Sequence, residues 1–224
     1  MSMFHGIPLA AVDFFAELEL NNNREWWAAH KETYEAAVRA PITALAGELE
    51  GEFGPIKVYR PNRDVRFSAD KTPYKDHQGM LAQTGSATGW YAQLSARGLM
   101  TAGGWYLAAP DQLQRFRLSV DDDRAGPALE AVLERLEADD FVVEGEQLKT
   151  RPRGVSPGHP RLELLRHKSL TAAREYGVPG WLESAEVLER IRQDWRTLGP
   201  LVTWLSGNVG DTATTDRGPG SSRR

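Results

Sequence analysis

The spacing of apolar positions changes along the chain, and each change marks a shift in the structure it predicts. In LAAVDFFAELEL (residues 9–20), Val12, Phe14, Phe15 and Leu18 fall at helical spacings, which predicts a short amphipathic helix. The run Asn21-Asn22-Asn23 then punctuates, because asparagine both tolerates the left-handed conformation at helix ends and caps helix starts. Asn22 followed three residues later by Glu25 has the spacing of a capping box. Beyond it Trp27, Tyr34, Val38, Ile42, Leu45 and Leu49 recur at helical steps, so a long helix is expected. Pro41 predicts a kink or restart within it, and Gly51 and Gly54 predict its end.

After residue 56 the period shortens. KVYR (57–60) and DVRF (64–67) read as strands, and residues 68–89, dense in Ser, Asp, Pro, Gly and Thr, as a long irregular loop. WYAQLS (90–95) and LMTAGGWYLA (99–108) flank Ala96-Arg97-Gly98 as a hairpin. Pro110 opens a helix with Leu113, Phe116, Arg117 and Val120 on one face, and ALEAVLERLEAD (128–139) makes another. FVVEGEQLKTRP (141–152) reads as a second hairpin turning at Glu144-Gly145, and RPRGVSPGHP (151–160) as a loop. Residues 161–176 read as a helix stopped by Gly177. A last helix over 183–206 carries Val187, Leu188, Ile191, Trp195, Leu198 and Leu205, with Pro200 as a point of breakage. From Gly207 almost no apolar residue remains, so burial cannot offset the entropy of ordering. The expectation is one α+β domain over 1–206, an antiparallel sheet flanked by helices with long N- and C-terminal helices, and a disordered tail over 207–224. Without alternating strands and helices, a parallel sheet is disfavoured.

Composition narrows the function classes. A net charge of −4 advertises neither nucleic acid nor a membrane, and 41% hydrophobic content supports a core. No cysteine is present, and the five histidines lack zinc-motif spacing, so thiolate metal sites and disulfides are excluded and no metal or cofactor is expected. The N-terminus is a poor signal peptide and no window is apolar enough to span a bilayer, which places the chain in the cytoplasm.

The charge is uneven, and there the candidate chemistry lies. Residues 57–75, KVYRPNRDVRFSADKTPYK, carry a net +4, leaving −8 on the other 205 residues. Asp70 is placed to bond backbone N–H groups of its turn while Pro73 fixes a dihedral, which would set Lys71, Tyr74 and Lys75 in a defined geometry. With Arg63 and Arg66 these residues suit a phosphate or carboxylate. In this reading Tyr74 is the hydrogen-bond donor or acid, its phenolate favoured by neighbouring cations, and Trp105 or Tyr106 forms an apolar wall. The plainer reading pairs Arg66 with Asp70 and leaves the lysines solvated. Arg151, Arg153, Arg166 and Lys168 form a second basic group. Convergence of that group on Lys71 and Lys75 would strengthen the anion reading, and a place on the opposite side would weaken it.

Other features carry two readings each. Gly103-Gly104 inside a strand signals a bulge or a ligand's close approach. Asn23 and Arg24 at a helix start face either a ligand or only the cap. His159 and His167 are isolated, and Asp64, Asp70, Asp76 and His77 make a poor hard-metal set among so many cations. The segments NNNREWW, RDVRFSADKTPYK, GGWY, RPRG and RHK resemble a bacterial and fungal family, domain of unknown function 2461, from about Phe4 to Leu205. Its shared motif maps onto Arg63, Asp64, Arg66, Phe67, Ser68, Asp70, Lys71, Pro73, Tyr74 and Lys75. Ala69 stands where relatives often carry a charge, and the resemblance brings no established activity. The partner expected is therefore an anionic small molecule. Two alternatives stand beside it: a single-stranded nucleic acid, or a protein docked on Trp181, Trp195 and Trp204.

Overall fold

The computed structural model describes residues 4–66 and 70–212. Helical periodicity translates directly at the N-terminus, where α1 (Leu9–Leu20) buries Val12, Phe14, Phe15 and Leu18. The cap of the next helix differs from expectation. Asn23, not Asn22, accepts the Trp26 N–H at 2.9 Å, and Asn22 is engaged elsewhere. α2 (Arg24–Thr33) continues through a π-helical stretch (Tyr34–Arg39) into α3 (Ala40–Phe53). The Ala40 N–H reaches back to the Glu35 carbonyl, a wider turn placed immediately before Pro41. Proline lacks the amide hydrogen that a tighter ladder would use, so the helix widens and does not break.

Six antiparallel strands form one sheet in the order β1-β2-β3-β4-β6-β5. They are β1 (Ile56–Val58), β2 (His77–Gly85), β3 (Thr88–Ser95), β4 (Gly98–Trp105), β5 (Val142–Glu144) and β6 (Leu170–Gly177). The fold is α+β. The expected hairpin of β3 and β4 is present, in register from Thr88 opposite Trp105 to Ser95 opposite Gly98. Four expectations fail. Residues 77–85, read as loop, form β2. Residues 170–176, read as helix, form β6 together with the expected stop Gly177, because pairing with β4 along the strand and with β5 at Thr171–Ala173 overrides the helix preference of its alanines. Val142–Glu144 pairs with β6 and makes no hairpin with the residues that follow it. The DVRF strand is also absent over residues 64–66, and Phe67 lies outside the described residues.

α4 (Pro110–Asp121) and α5 (Ala125–Ala138) precede β5, the short α6 (Leu162–Leu165) precedes β6, and α7 (Glu186–Asn208) ends the order. α7 crosses β3 and β4, with α1 and α3 beside it. Pro200 does not break α7. Its ring is exposed, where the loss of one ladder hydrogen bond is tolerated. Met80, Ala82, Ala92, Leu94, Leu99, Trp105, Leu170 and Ala172 meet these helices in a single core. The chain stays attached beyond the expected limit at 206: Asp211 Oδ1 accepts the Ser86 N–H at 2.5 Å, and Thr212 Oγ1 donates to Asp111 at 2.8 Å. The remainder of the expected tail lies outside the described residues.

The paired glycines of β4 produce no bulge, since the register runs through both without a shift. A Cβ on Gly103 would stand 3.1 Å from Leu198 Cβ, so its absence lets α7 approach the sheet. Gly104 has φ of +139°, and a Cβ there would stand 2.3 Å from the Leu170 carbonyl oxygen of the neighbouring strand. Among the described residues no helix is long and apolar enough to cross a membrane.

Candidate functional site

The basic motif is a pinched loop between β1 and β2. Arg63 N–H donates to the Pro73 carbonyl at 2.9 Å and Lys75 N–H to the Pro61 carbonyl at 2.8 Å, closing an antiparallel stem. Asp70 accepts the Thr72 N–H and hydroxyl, each at 2.9 Å, as the turn chemistry predicted. Its carboxyl is held below the usual range chiefly by those two bonds, with Arg63 adding to them.

Most of the motif's cations are already engaged. Arg63 pairs with Asp70 and donates to Thr72 Oγ1 at 3.1 Å. Arg66 pairs with Asp64 at 2.7 Å, not with Asp70, and that bond is the main reason the Asp64 carboxyl falls to about 2. Lys71 Nζ donates to the Val65 carbonyl at 2.9 Å.

Tyr74 does not take the role of an accessible acid. Its ring is buried, stacked on Trp27 with centroids 4.0 Å apart and planes 10° from parallel. Asn22 clamps its backbone: Asn22 Nδ2 donates to the Tyr74 carbonyl at 2.9 Å, and the Tyr74 N–H donates to Asn22 Oδ1 at 3.1 Å. Two of the segments singled out in the sequence, NNNREWW and DKTPYK, are thus two sides of one contact. Ser68 and Ala69 lie outside the described residues.

Lys75 is different. Its ammonium stands 4.8 Å from the centre of the Tyr59 ring, with Lys57 at 5.3 Å from the same centre, and makes no ion pair among the described residues. Burial, followed by the nearby charges of Arg60, Lys57 and Arg63, lowers its pKa. A partly buried ammonium among like charges gains from an incoming anion.

Tyr59 leads from that rim onto the face of the sheet that the helices leave open. There Leu81, Tyr91, Met100, Ala102 and Ala173 alternate with the core positions, and with Tyr59, Tyr106, Glu144 and Thr171 they line a cleft of about 290 Å³. Its floor is low because Gly89, Gly103, Gly104 and two alanines supply it. Gly79 performs a related service beside it: a Cβ there would stand 2.3 Å from the Tyr91 hydroxyl oxygen, which donates to Gln93 at 2.9 Å. Burial raises the pKa of Tyr59, Tyr91 and Tyr106 alike, so all three are neutral hydrogen-bonding groups at neutral pH.

Trp105, expected as a possible wall, is fully buried on the opposite face against Phe116, and Tyr106, 48% exposed, is the residue that walls the cleft. The alternation of the strand separates the two, and only their faces could not be told apart from sequence. Sequence reasoning also missed Tyr59, Tyr91, Ala102 and Ala173. The alternation Tyr91-x-Gln93-x-Ser95 opposite Trp90-x-Ala92-x-Leu94 was the available signal.

The second basic group does not converge on the motif. Lys168 pairs with Glu146, and Arg166 donates to Glu163 and to the Leu148 carbonyl, each at 2.9 Å. These residues flank β5 and β6, whereas the motif flanks β1 and β2 at the other edge of the sheet. Arg151 is exposed in the same outlying loop. The anion reading therefore loses the support of Arg151 and Lys168.

The protein-docking reading also loses its surface, since Trp195 and Trp204 are buried and Trp181 packs against the core. Among the described residues no group of three or more His, Asp or Glu side chains is arranged to hold a metal ion.

His167 is a structural residue. Its Nδ1–H donates to the Ser169 carbonyl at 2.9 Å and its Nε2 accepts from Gln147 at 2.8 Å, which describes a neutral ring. Burial lowers its pKa from the usual 6.5. As pH falls below that value the unfolded chain takes up the proton first, so stability present above it is lost on acidification. Urea midpoints between pH 7.5 and 5.5 should fall more steeply for the wild type than for His167→Gln. Equal slopes would remove the assignment.

The family described as "Conserved hypothetical protein (DUF2461)" matches residues 10–204. No curated protein matches the chain.

Proposed function

We propose, for a chain that belongs to the DUF2461 family, that the open face of its sheet binds a small molecule with a carboxylate or phosphate and an apolar body. One observation carries the reading: a tyrosine-walled cleft on the helix-free face ends at Tyr59, whose ring is flanked by the ammonium groups of Lys75 and Lys57. The apolar body would lie over Ala102 and Ala173 against the Tyr106 ring. The anion would meet Lys75, and the neutral tyrosines would donate hydrogen bonds. Arg63, Arg66, Asp70, Lys71 and Tyr74 serve in this reading as the frame that positions Lys75.

A thermal-shift panel of aromatic and aliphatic carboxylates and phosphates tests the site. At least one member should raise the Tm. Lys75→Gln should weaken that ligand about tenfold or more, an effect of about 1.4 kcal/mol. Ala102→Leu, which projects into the cleft from the floor, should abolish binding while leaving the helical core untouched. A panel without a single shift, or a ligand indifferent to both substitutions, overturns the proposal. Oligonucleotides included in the panel address the nucleic-acid alternative, which predicts binding that weakens steeply with salt.

A further inference from the structure

A second cavity, of about 540 Å³, lies at the far edge of the molecule, between α4 and the proline-rich loop that follows β5. Pro110, Leu113, Leu118, Val155 and Leu165 give it an apolar wall, and Arg117 and Arg153 enter it from its two sides. Neither arginine makes an ion pair among the described residues. Arg117 Nε donates one long hydrogen bond, to the Leu165 carbonyl at 3.4 Å. Burial lowers its pKa, which marks a guanidinium short of compensating charge.

The carboxylate one turn along the helix, Asp121, lines the same cavity and makes no ion pair with Arg117. His159 Nδ1 accepts the Arg161 N–H at 3.0 Å, which leaves the proton on Nε2 to be donated to Asp121 Oδ1 at 2.8 Å. Ser156 also lines the cavity, and its oxygen accepts the Gly158 N–H at 3.3 Å, so the hydroxyl proton remains available to a ligand. We infer that this cavity is a second binding site, for an amphiphilic oxyanion whose phosphate or carboxylate is held between Arg117 and Arg153 and whose alkyl portion lies along Leu113, Leu118 and Val155. Planar guanidinium groups match both oxyanions through paired N–H donors, and apolar contact along the wall supplies the preference for an alkyl chain.

The inference stands apart from the sheet-face cleft and is tested apart from it. Hexyl phosphate and inorganic phosphate are titrated calorimetrically into the full chain and into Ala102→Leu, in which the cleft is filled. Ala102→Leu, its cleft filled, should keep one site for hexyl phosphate whatever the cleft adds in the wild type, and should bind inorganic phosphate about tenfold or more weakly. Arg117→Gln and Arg153→Gln should each weaken hexyl phosphate about tenfold. Leu118→Ser, on an exposed position, should weaken hexyl phosphate and leave inorganic phosphate unchanged. Arg153 is on an exposed loop, so its variant remains informative even if Arg117→Gln misfolds. Binding that disappears in Ala102→Leu belongs to the cleft and overturns the inference, as does the absence of binding or affinity unchanged in Arg153→Gln.

Discussion

Replacing Asp194 with alanine is expected to destabilise the protein by about 3–5 kcal/mol, the cost of leaving a buried ion pair with one partner. The Asp194 side chain is 2% exposed, projecting from α7 onto the sheet. It accepts from Thr101 Oγ1 at 2.5 Å, Arg174 Nη1 at 2.6 Å and Tyr176 Oη at 2.9 Å, so one carboxylate joins α7 to both β4 and β6. Without it the Arg174 guanidinium, over the Phe141 ring at 4.1 Å from the centroid, loses its paired carboxylate and keeps the Asp139 carbonyl and the more distant charge of Asp140. Thr101 and Tyr176 lose their acceptor in the same step. Asp194→Asn, which retains an acceptor and the shape but not the charge, should lose less. Urea denaturation of both variants decides the matter: an Asp194→Ala loss below about 1 kcal/mol, the level of a solvated surface pair, contradicts the buried-network account.

A loss of similar size, about 3–5 kcal/mol, is expected for Trp195→Ala. The indole is fully buried, edge-on to Phe53 with centroids 5.1 Å apart, and its Nε1–H donates to the Tyr91 carbonyl at 3.2 Å. That bond gives the substitution a second reach. Tyr91 presents its backbone to the helix layer and its ring to the cleft, so a relaxed core beneath it also disturbs the cleft wall above. Trp195→Phe preserves most of the apolar contact, removes the donor, and should cost about 1–3 kcal/mol. Equal stability of the alanine and phenylalanine variants would show that packing of the ring is not what holds α7 to the sheet.

The elements that were legible from sequence are those whose apolar positions repeat within one element. Val12, Phe15 and Leu18 define α1 at its observed bounds, and Pro110 with Phe116 and Val120 defines α4. β2 and β6 were hidden for opposite reasons. In β2, Gly79 and Gly85 are poor strand formers, and Gly79 is required by the Tyr91 hydroxyl of a different strand. In β6 the alanines favour helix, and only neighbours on both sides convert them. The motif's turn chemistry at Asp70 was readable because it closes within two residues. The cleft was not, since Tyr59, Tyr91, Tyr106 and Ala173 meet only once strand register sets them side by side. Charge density pointed to one loop and, within it, toward residues already neutralised by Asp64 and Asp70.

The strand order has a consequence for how this chain behaves among its copies. β2, β3, β4 and β6, of nine, eight, eight and eight residues, are all interior, while the two edges, β1 and β5, have only three residues each. An edge strand offers unpaired N–H and C=O groups to any passing chain, and a short one offers few. Each edge also carries a charge, Lys57 on β1 and Glu144 on β5. The outermost strands of the sheet are thus poor templates for an added strand, each short and each bearing a charge.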